Sequence, residues 1–319
     1  MTDVLTFGET MLRLSPPGQE RLELAAELEF RAAGAESNVA VNVQRLGLEG
    51  VWMSKLPDSP LGRKVTAHLR RHGITTDVVW SDEGRQGTYY LEHASEPRQP
   101  NVIYDRQGSA VTTATPAELP TDRFADTRVF YTSGITPALS DTLEATVADL
   151  LPAAREQGAR TVFDLNYRSK LWDPGTAADT FRDLFPEVDV LVAAARDAAT
   201  VLDRDGPPER VAADLAAEWD FETVLVTLGE EGALAWHDGQ TTRQPAFEAD
   251  TYDPIGTGDA FTAGYLVRRL EGDDVATALE YGAATAALKR TMPGDVATVT
   301  PGEVEAVIEA SDVGEDISR

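Results

Sequence analysis

The chain contains no cysteine. Disulfides, cysteine-ligated zinc, iron–sulfur clusters and thiol catalysis are therefore excluded. Lysine is scarce: Lys55, Lys64, Lys170 and Lys289 are the only four, and 28 basic side chains face 54 acidic ones. That supply makes a face basic enough to neutralise a phosphate backbone improbable, which argues against a nucleic-acid partner. No apolar run approaches the ~18 residues of a membrane span. The first residues, MTDVLTFGETMLRL, lack the basic and apolar regions of a secretory leader. A cytoplasmic protein with no membrane partner is expected.

What is present suits a globular protein. At roughly 100–200 residues per domain, 319 residues suggest two domains or one large one with an appendage, and 42% hydrophobic residues suffice for a core. Short apolar runs at residues 4–8, 51–56, 129–133, 161–165, 188–193 and 223–227 read as strands. Helical spacing recurs at 35–46, 61–72, 142–157, 177–184, 209–219, 258–270, 275–290 and 301–310. Thr300 precedes Pro301 as an N-cap before a first-turn proline. Strands separated by helices predict an α/β fold, a doubly wound, mostly parallel sheet with helices on both faces. The strand-rich pieces near 11–31 and 86–107 do not fit that layer and predict a small antiparallel β-sheet lid inserted in one domain spanning 1–319. Residues 22–30 suit strand or helix, and the polar tail 311–319 is expected to fray.

The segment Asp253-Pro-Ile-Gly-Thr-Gly-Asp-Ala-Phe-Thr-Ala-Gly264 is the most informative. Gly256 and Gly258 flank Thr257 where a helix begins. Such a turn can aim backbone N–H groups at an anion. Asp259, in the first helical turn, is an odd neighbour for a bound phosphate but a sensible base for a hydroxyl that attacks one. The same residues also suit an ordinary glycine-rich turn with an acidic helix start.

Taken whole, the segment resembles the C-terminal signature of the ribokinase/PfkB sugar-kinase family. Ala33-Gly-Ala-Glu-Ser-Asn-Val-Ala40 resembles the first signature of that family, with Ala33 where a second glycine often stands. The resemblance covers most of the chain and implies a ribokinase-like fold with a β lid. It implies that Asp259 is the catalytic base, that Gly256, Thr257 and Gly258 with Asp259 form the anion hole, and that ATP and Mg2+ are the cofactors.

Within the family, the segments around Gly87-Thr-Tyr-Tyr-Leu91, Val102–Ala110, Ser133–Ser140 and Asp164–Trp172 look most like 2-keto-3-deoxygluconate (KDG) kinases. The resemblance implies Gly34, Asn38, Tyr89, Tyr104, Arg106, Arg168 and Asp295 at the sugar. KDG carries a carboxylate, and a guanidinium can grip a carboxylate with two parallel hydrogen bonds. Two arginines facing one cleft in a chain of net charge −26 would thus have a reason to be there. Read by themselves the residues leave alternatives. Strand alternation turns either Tyr89 or Tyr90 toward the site. Arg106 could pair with Asp105 or another lid acid. Arg168 could brace its loop or, with Asn166, touch ATP phosphates. Asp295 could be a plain turn residue.

Val224–Ala233 resembles the family's strand and turn over ATP, which implies Thr227, Gly229 and Gly232 as nucleotide contacts; a simple hairpin fits as well. The family's Asn-x-x-Glu motif, linked to Mg2+ and phosphate, reads Ala194-x-x-Asp197, so Asp197 is the candidate on the metal side. The expected reaction is phosphorylation of the terminal hydroxyl of KDG. A kinase for fructose or another neutral sugar is the alternative, and a non-catalytic sugar sensor a distant one. A homo-oligomer formed through the lid is expected, since a small sheet has open edges. The acidic residues never form a run of five, and a lysine-poor acidic surface resembles proteins of salt-in halophiles, where molar salt shortens the Debye length to ~3 Å.

Overall fold

The computed structural model describes residues 1–94 and 97–317, without side chains beyond residue 311. In chain order its elements are β1 Thr2–Phe7, β2 Met11–Ser15, β3 Glu29–Ala33, α1 Ala35–Arg45, β4 Gly50–Pro57, α2 Pro60–Arg70 and β5 Thr75–Ser81. There follow β6 Thr88–Glu92, β7 Asn101–Asp105, β8 Thr127–Ser133, α3 Asp141–Glu156, β9 Arg160–Asp164, α4 Pro174–Leu184 and β10 Val190–Ala194. The last third holds α5 Ala195–Leu202, α6 Pro208–Trp219, β11 Thr223–Thr227, β12 Ala233–His237, β13 Gln240–Gln244, α7 Thr257–Glu271, α8 Val275–Arg290 and α9 Pro301–Ile317.

The main sheet has nine strands in the order β13-β12-β11-β10-β9-β8-β1-β4-β5. It is parallel from β11 to β5, and only β12 and β13 run antiparallel. Alternate residues of one strand feed two cores, as the two-residue period requires. Leu5, Phe130, Phe163, Leu191 and Val224 enter one core, which α3, α4 and α6 cover. Val4, Tyr131, Val162, Val192 and Leu225 enter the other, which α1, α7 and α8 cover. Burial on both faces explains why these strands read as unbroken apolar runs. Gly264 and Gly282 let α7 and α8 pack closely: a Cβ on Gly264 would sit 2.9 Å from the Gly282 Cα.

The second sheet has the order β3-β2-β6-β7. It is the small sheet expected from the strand-rich pieces, here termed the lid, but it is not wholly antiparallel: β2 pairs β6 in parallel, while β3 and β7 pair antiparallel to them. The chain between β2 and β6 passes through α1 and α2, and such a long crossover permits parallel pairing. Of residues 22–30 only the end becomes strand, where β2 offers a partner. Residues 195–202, a short stretch of helical spacing directly after β10, form the unforeseen α5. Helix α9 continues past residue 310 to Ile317; the end of the expected frayed tail lies outside the described residues. Thr300 stands at the N-cap position before α9 as foreseen, but its N–H and hydroxyl both donate to Glu303 Oε2 at 2.8 Å, the reciprocal half of a capping box. No helix among the described residues is long and apolar enough to cross a membrane.

Candidate active site

A cleft of about 1060 Å³ lies between the lid and the C-terminal ends of the parallel strands, where open α/β sheets bind ligands. The structure brings all sixteen candidate residues to its walls. They come from eight separate stretches of the chain, so the convergence is a product of the fold.

At the floor is the start of α7. Gly256 is its N-cap with φ +80, and a Cβ there would overlap the Asp295 carbonyl oxygen. Only glycine tolerates both conditions. The Thr257 N–H returns to the Pro254 carbonyl at 3.3 Å, and the helical ladder resumes with the Ala260 N–H on the Gly256 carbonyl at 2.9 Å. Between them the amides of Gly258 and Asp259 have no backbone acceptor among the described residues, and Gly258 is exposed to the cleft. Helix polarity makes that end attractive to an anion. The buried Asp259 carboxylate accepts a 2.7 Å hydrogen bond from the Asn38 side-chain amide on α1. Burial pushes its pKa up to about 6, against the opposing pull of Asn38 and of Arg168. It is thus mostly ionised near neutrality yet basic enough to take a proton.

The wall toward the lid is made of paired charges. Arg106 forms an ion pair with buried Glu9, not with Asp105, which is held by Arg85 at 2.5 Å. The Arg106 guanidinium also lies 5.5 Å from the centre of the Tyr104 ring. Tyr89 points into the cleft, 6.0 Å from Tyr104 between ring centres, and its hydroxyl donates to Asp295 at 3.4 Å. Tyr90, by strand alternation, is on the other face. Asp295 is no plain turn residue: it is buried and ion-paired with buried Arg13 at 2.8 Å. Gly34 has extended backbone, not left-handed, and a Cβ on it would overlap the Glu9 carbonyl.

The far wall carries Arg168, Asn166 and two more carboxylates. Asn166 has φ +38, and its N–H is held by Asp164 Oδ1 at 3.0 Å. Asp164 is buried, and burial together with the nearby Asp259 and Asp197 carboxylates pushes its pKa up to about 7. Burial also raises Asp197, opposed by Arg196 and Arg168. The half-buried Arg168 is the cation common to Asp164, Asp197 and Asp259. Among the described residues no three acidic or histidine side chains converge tightly enough to hold a metal unaided. Asp164 and Asp197 do suit a cation that brings most of its own ligands, as Mg2+ on a polyphosphate does. Thr227, Gly229 and Gly232 form the rim beyond them. Gly229 has φ +64 and open space around it. Gly232 has φ +99, and a Cβ there would overlap the Gln244 carbonyl, so its glycine is required by the β12–β13 hairpin itself.

Five side chains of this region went unread in the sequence: Glu9, Arg13, Glu36, Asp164 and Lys289. Glu36 is buried at the cleft, and burial pushes its pKa up to about 7. Its Oε1 accepts from the Ser133 hydroxyl at 2.6 Å and the Thr136 hydroxyl at 2.8 Å, which ties α1 to the end of β8. The one local signal for it was its place two residues after Gly34.

A model of the pfkB family of carbohydrate kinases matches residues 1–301. The chain is 60% identical to a 2-dehydro-3-deoxygalactonokinase of Haloferax volcanii, over 98% of this chain and 99% of that one. It is 30% identical to a 2-dehydro-3-deoxygluconokinase of Bacillus subtilis, over 92% of this chain and 91% of that one. Among solved structures it is similar to a 2-dehydro-3-deoxygluconokinase of Thermotoga maritima, with a TM-score of 0.92, 32% identity, and 97% and 98% of the two chains covered.

Proposed function

Since the chain belongs to the pfkB family of carbohydrate kinases, we propose that it transfers the γ-phosphoryl group of ATP to the terminal hydroxyl of a 2-keto-3-deoxy sugar acid. The observation that carries this reading is Asp259, a buried base beside two unclaimed amides at a helix start, in a cleft that also holds Arg106 and Arg168. Asp259 orients the hydroxyl and takes its proton as the oxygen attacks phosphorus in line. The Gly258 and Asp259 amides, with the Gly256–Gly258 turn behind them, stabilise charge on the transferring group. Arg106 and Arg168 hold the acid carboxylate, and Tyr89 and Tyr104 pack on the carbon chain.

Thr227, Gly229 and the amide of Asn166 face the nucleotide. Mg2+ would be held by Asp164 and Asp197 through its waters, and would supply charge neutralisation on the phosphates. The gluconate and galactonate forms of the acid differ only at C4. The relative at 60% identity bears the galactonate name and those near 30% the gluconate name, so the galactonate form takes precedence. Pairing of two copies through the lid belongs to the same reading. Leu14, Phe30, Tyr90 and Ile103 share one cross-strand row on its outer face, with Phe30 45% and Ile103 49% exposed.

The test is ATP consumption with both acids, fructose and ribose, in molar KCl to screen the acidic surface. Turnover of either acid well above the neutral sugars is expected. A preference for fructose would sink the sugar-acid reading, and no ATP consumption with any sugar would sink the kinase reading.

A further inference from the structure

One of the four lysines is wholly buried. Lys289, in the last turn of α8, has no solvent exposure. An ammonium is strongly hydrated, so a position that removes it from water needs acceptors and countercharge to compensate. The Lys289 Nζ donates to the carbonyl of Asp253 at 3.0 Å and to that of Met292 at 3.3 Å. These carbonyls belong to the two segments that shape the anion-hole turn.

The segments are joined at several points. The Tyr252 and Asp253 amides donate to the Arg290 carbonyl at 2.8 and 3.1 Å, and the Gly294 amide donates to Asp253 Oδ2 at 3.1 Å. The Asp295 carbonyl lies directly against Gly256. Lys289 therefore sits behind the turn from which the Gly258 and Asp259 amides face the cleft. The charged groups around it are the carboxylates of Asp253, Asp295 and Asp259 and the guanidinium of Arg13. Arg13 reaches the carboxylates of Asp295 and Asp253 from the lid side. The Asp253 carbonyl is left to Lys289. An apolar side chain here would strand two buried carbonyl oxygens and leave the buried Asp253 and Asp295 carboxylates to Arg13.

We propose that Lys289 is a positioning residue for phosphoryl transfer, a cation built into the chain that clamps the Asp253 and Met292 carbonyls and holds the Gly256–Gly258 turn in its anion-binding shape. The proposal rests on the kinase reading of the cleft. Its rival is a lysine that only staples α8 to the following loop, in which case stability falls but turnover per folded molecule does not.

The decisive comparison is between wild type, Lys289→Met and Lys289→Ala. ATP turnover is measured with the two sugar acids, ionic strength being held by tetramethylammonium chloride, whose ion is too bulky for the vacated space. Lys289→Met preserves length without charge. It is expected to melt as a folded protein with kcat reduced about 10²-fold, the scale of a misplaced catalytic geometry, and with sugar-acid KM within about threefold. Lys289→Ala is expected to lose similar activity and to regain about tenfold on addition of ammonium or methylammonium, which leave wild type and Lys289→Met unchanged. A folded Lys289→Met with wild-type kcat overturns the proposal, as does a folded Lys289→Ala that neither amine restores. Failure of both variants to fold even in ammonium makes Lys289 a stability residue and also overturns it. A wild type inert toward every sugar breaks the kinase reading together with this one, whereas an active wild type with unaffected variants breaks this one alone.

Discussion

The two halves of the cleft are built differently. The half proposed for the sugar is a network of paired side chains, of which Arg13 and Tyr89 stand on strands of the small sheet: Glu9 with Arg106, Arg13 with Asp295 and Asp253, Tyr89 across to Asp295. Nearly every charge in it is paired and buried before a ligand arrives. The half proposed for the nucleotide is mostly backbone. Its rim from Thr227 to Gly232 turns on two glycines of positive φ, and its acids Glu230 and Glu231 are exposed. Side chains preset for one ligand give selectivity, because a wrong ligand leaves buried groups unpaired. Backbone amides ask only for an anion in the right place. Selection among sugars should therefore be sensitive to single side chains, and nucleotide binding much less so.

The largest expected effect is at the junction of the halves. Asp259→Asn keeps the shape and the reach to Asn38 but removes the base, and kcat should fall at least ~10²-fold. The wild-type pH profile gives an independent check. With the Asp259 pKa pushed up to about 6, the ionised base accumulates as pH rises, so kcat/KM should climb through about pH 6 and level off above it. Near-wild-type turnover in the variant would remove Asp259 from the chemistry.

Next in size is Arg106→Ala, which tests the sugar half directly. Loss of a charged hydrogen bond, worth ~1.5–3 kcal/mol, should raise KM for the sugar acid about 10–100-fold. A fructose reaction, if present, should change far less, since it has no carboxylate to lose. Equal losses for acid and neutral sugar would mean that the variant only strands the buried Glu9 carboxylate, and the contrast between the halves would lose its basis.

These two residues also mark what can be read from sequence. The Gly256–Asp259 turn is contiguous, and its chemistry is local: a glycine where φ must be positive, amides at a helix start, one acid. Its shape was legible, but the residues alone suited an ordinary turn as well, the kinase role came from the resemblance, and of the amides expected at the anion that of Thr257 is taken by the Pro254 carbonyl. Strand alternation said only that one of Tyr89 and Tyr90 faces the site, and the family resemblance pointed to Tyr89. The partners of the sugar half were not legible, because Arg13 and Asp295 are 282 residues apart and Asn38 and Asp259 are 221 apart. Lys289 reads in sequence as an ordinary basic residue in a last helical turn. Only packing against α7 and the 253–256 segment makes it a buried cation. The parallel β2–β6 pair was missed for a related reason: pairing direction depends on where a crossover runs, and side-chain alternation is the same for either direction.

A third effect concerns stability of the ligand-free protein. Folding raises the pKa of Asp164 and Glu36 to about 7 and of Asp259 to about 6, above the ~4 of unfolded carboxyls. Such groups favour folding fully below pH ~4, and that contribution is lost as pH rises through their folded values. The apo protein should therefore melt lower at pH 8 than at pH 5 as far as these groups govern it. Asp164→Asn cannot ionise and should recover about 2–4 °C of Tm at pH 8 for each ~1 kcal/mol relieved, with little gain at pH 5. A gain of equal size at both pH values would mean that charge burial is not its source.

The smallest effect tests the nucleotide half, and here the comparison can be sharpened within one turn. Gly229 and Gly232 both have positive φ, but their surroundings differ. Gly232 abuts the Gln244 carbonyl and the backbone beyond it, whereas Gly229 has nothing within 4 Å. Gly232→Ala must displace backbone and should lower Tm clearly. Gly229→Ala meets only the left-handed penalty of ~1–2 kcal/mol, a modest fall in Tm. If nucleotide binding depends on the path of the backbone and not on side chains, Gly229→Ala should leave KM for ATP within about threefold, because the methyl group points into open space and the amide stays in place. Thermal melts and ATP titrations on the two variants read stability and binding separately. A Gly229→Ala protein that melts like wild type yet loses ATP affinity tenfold or more would show that the rim closes tightly on the nucleotide, and that this half is as preset as the sugar half.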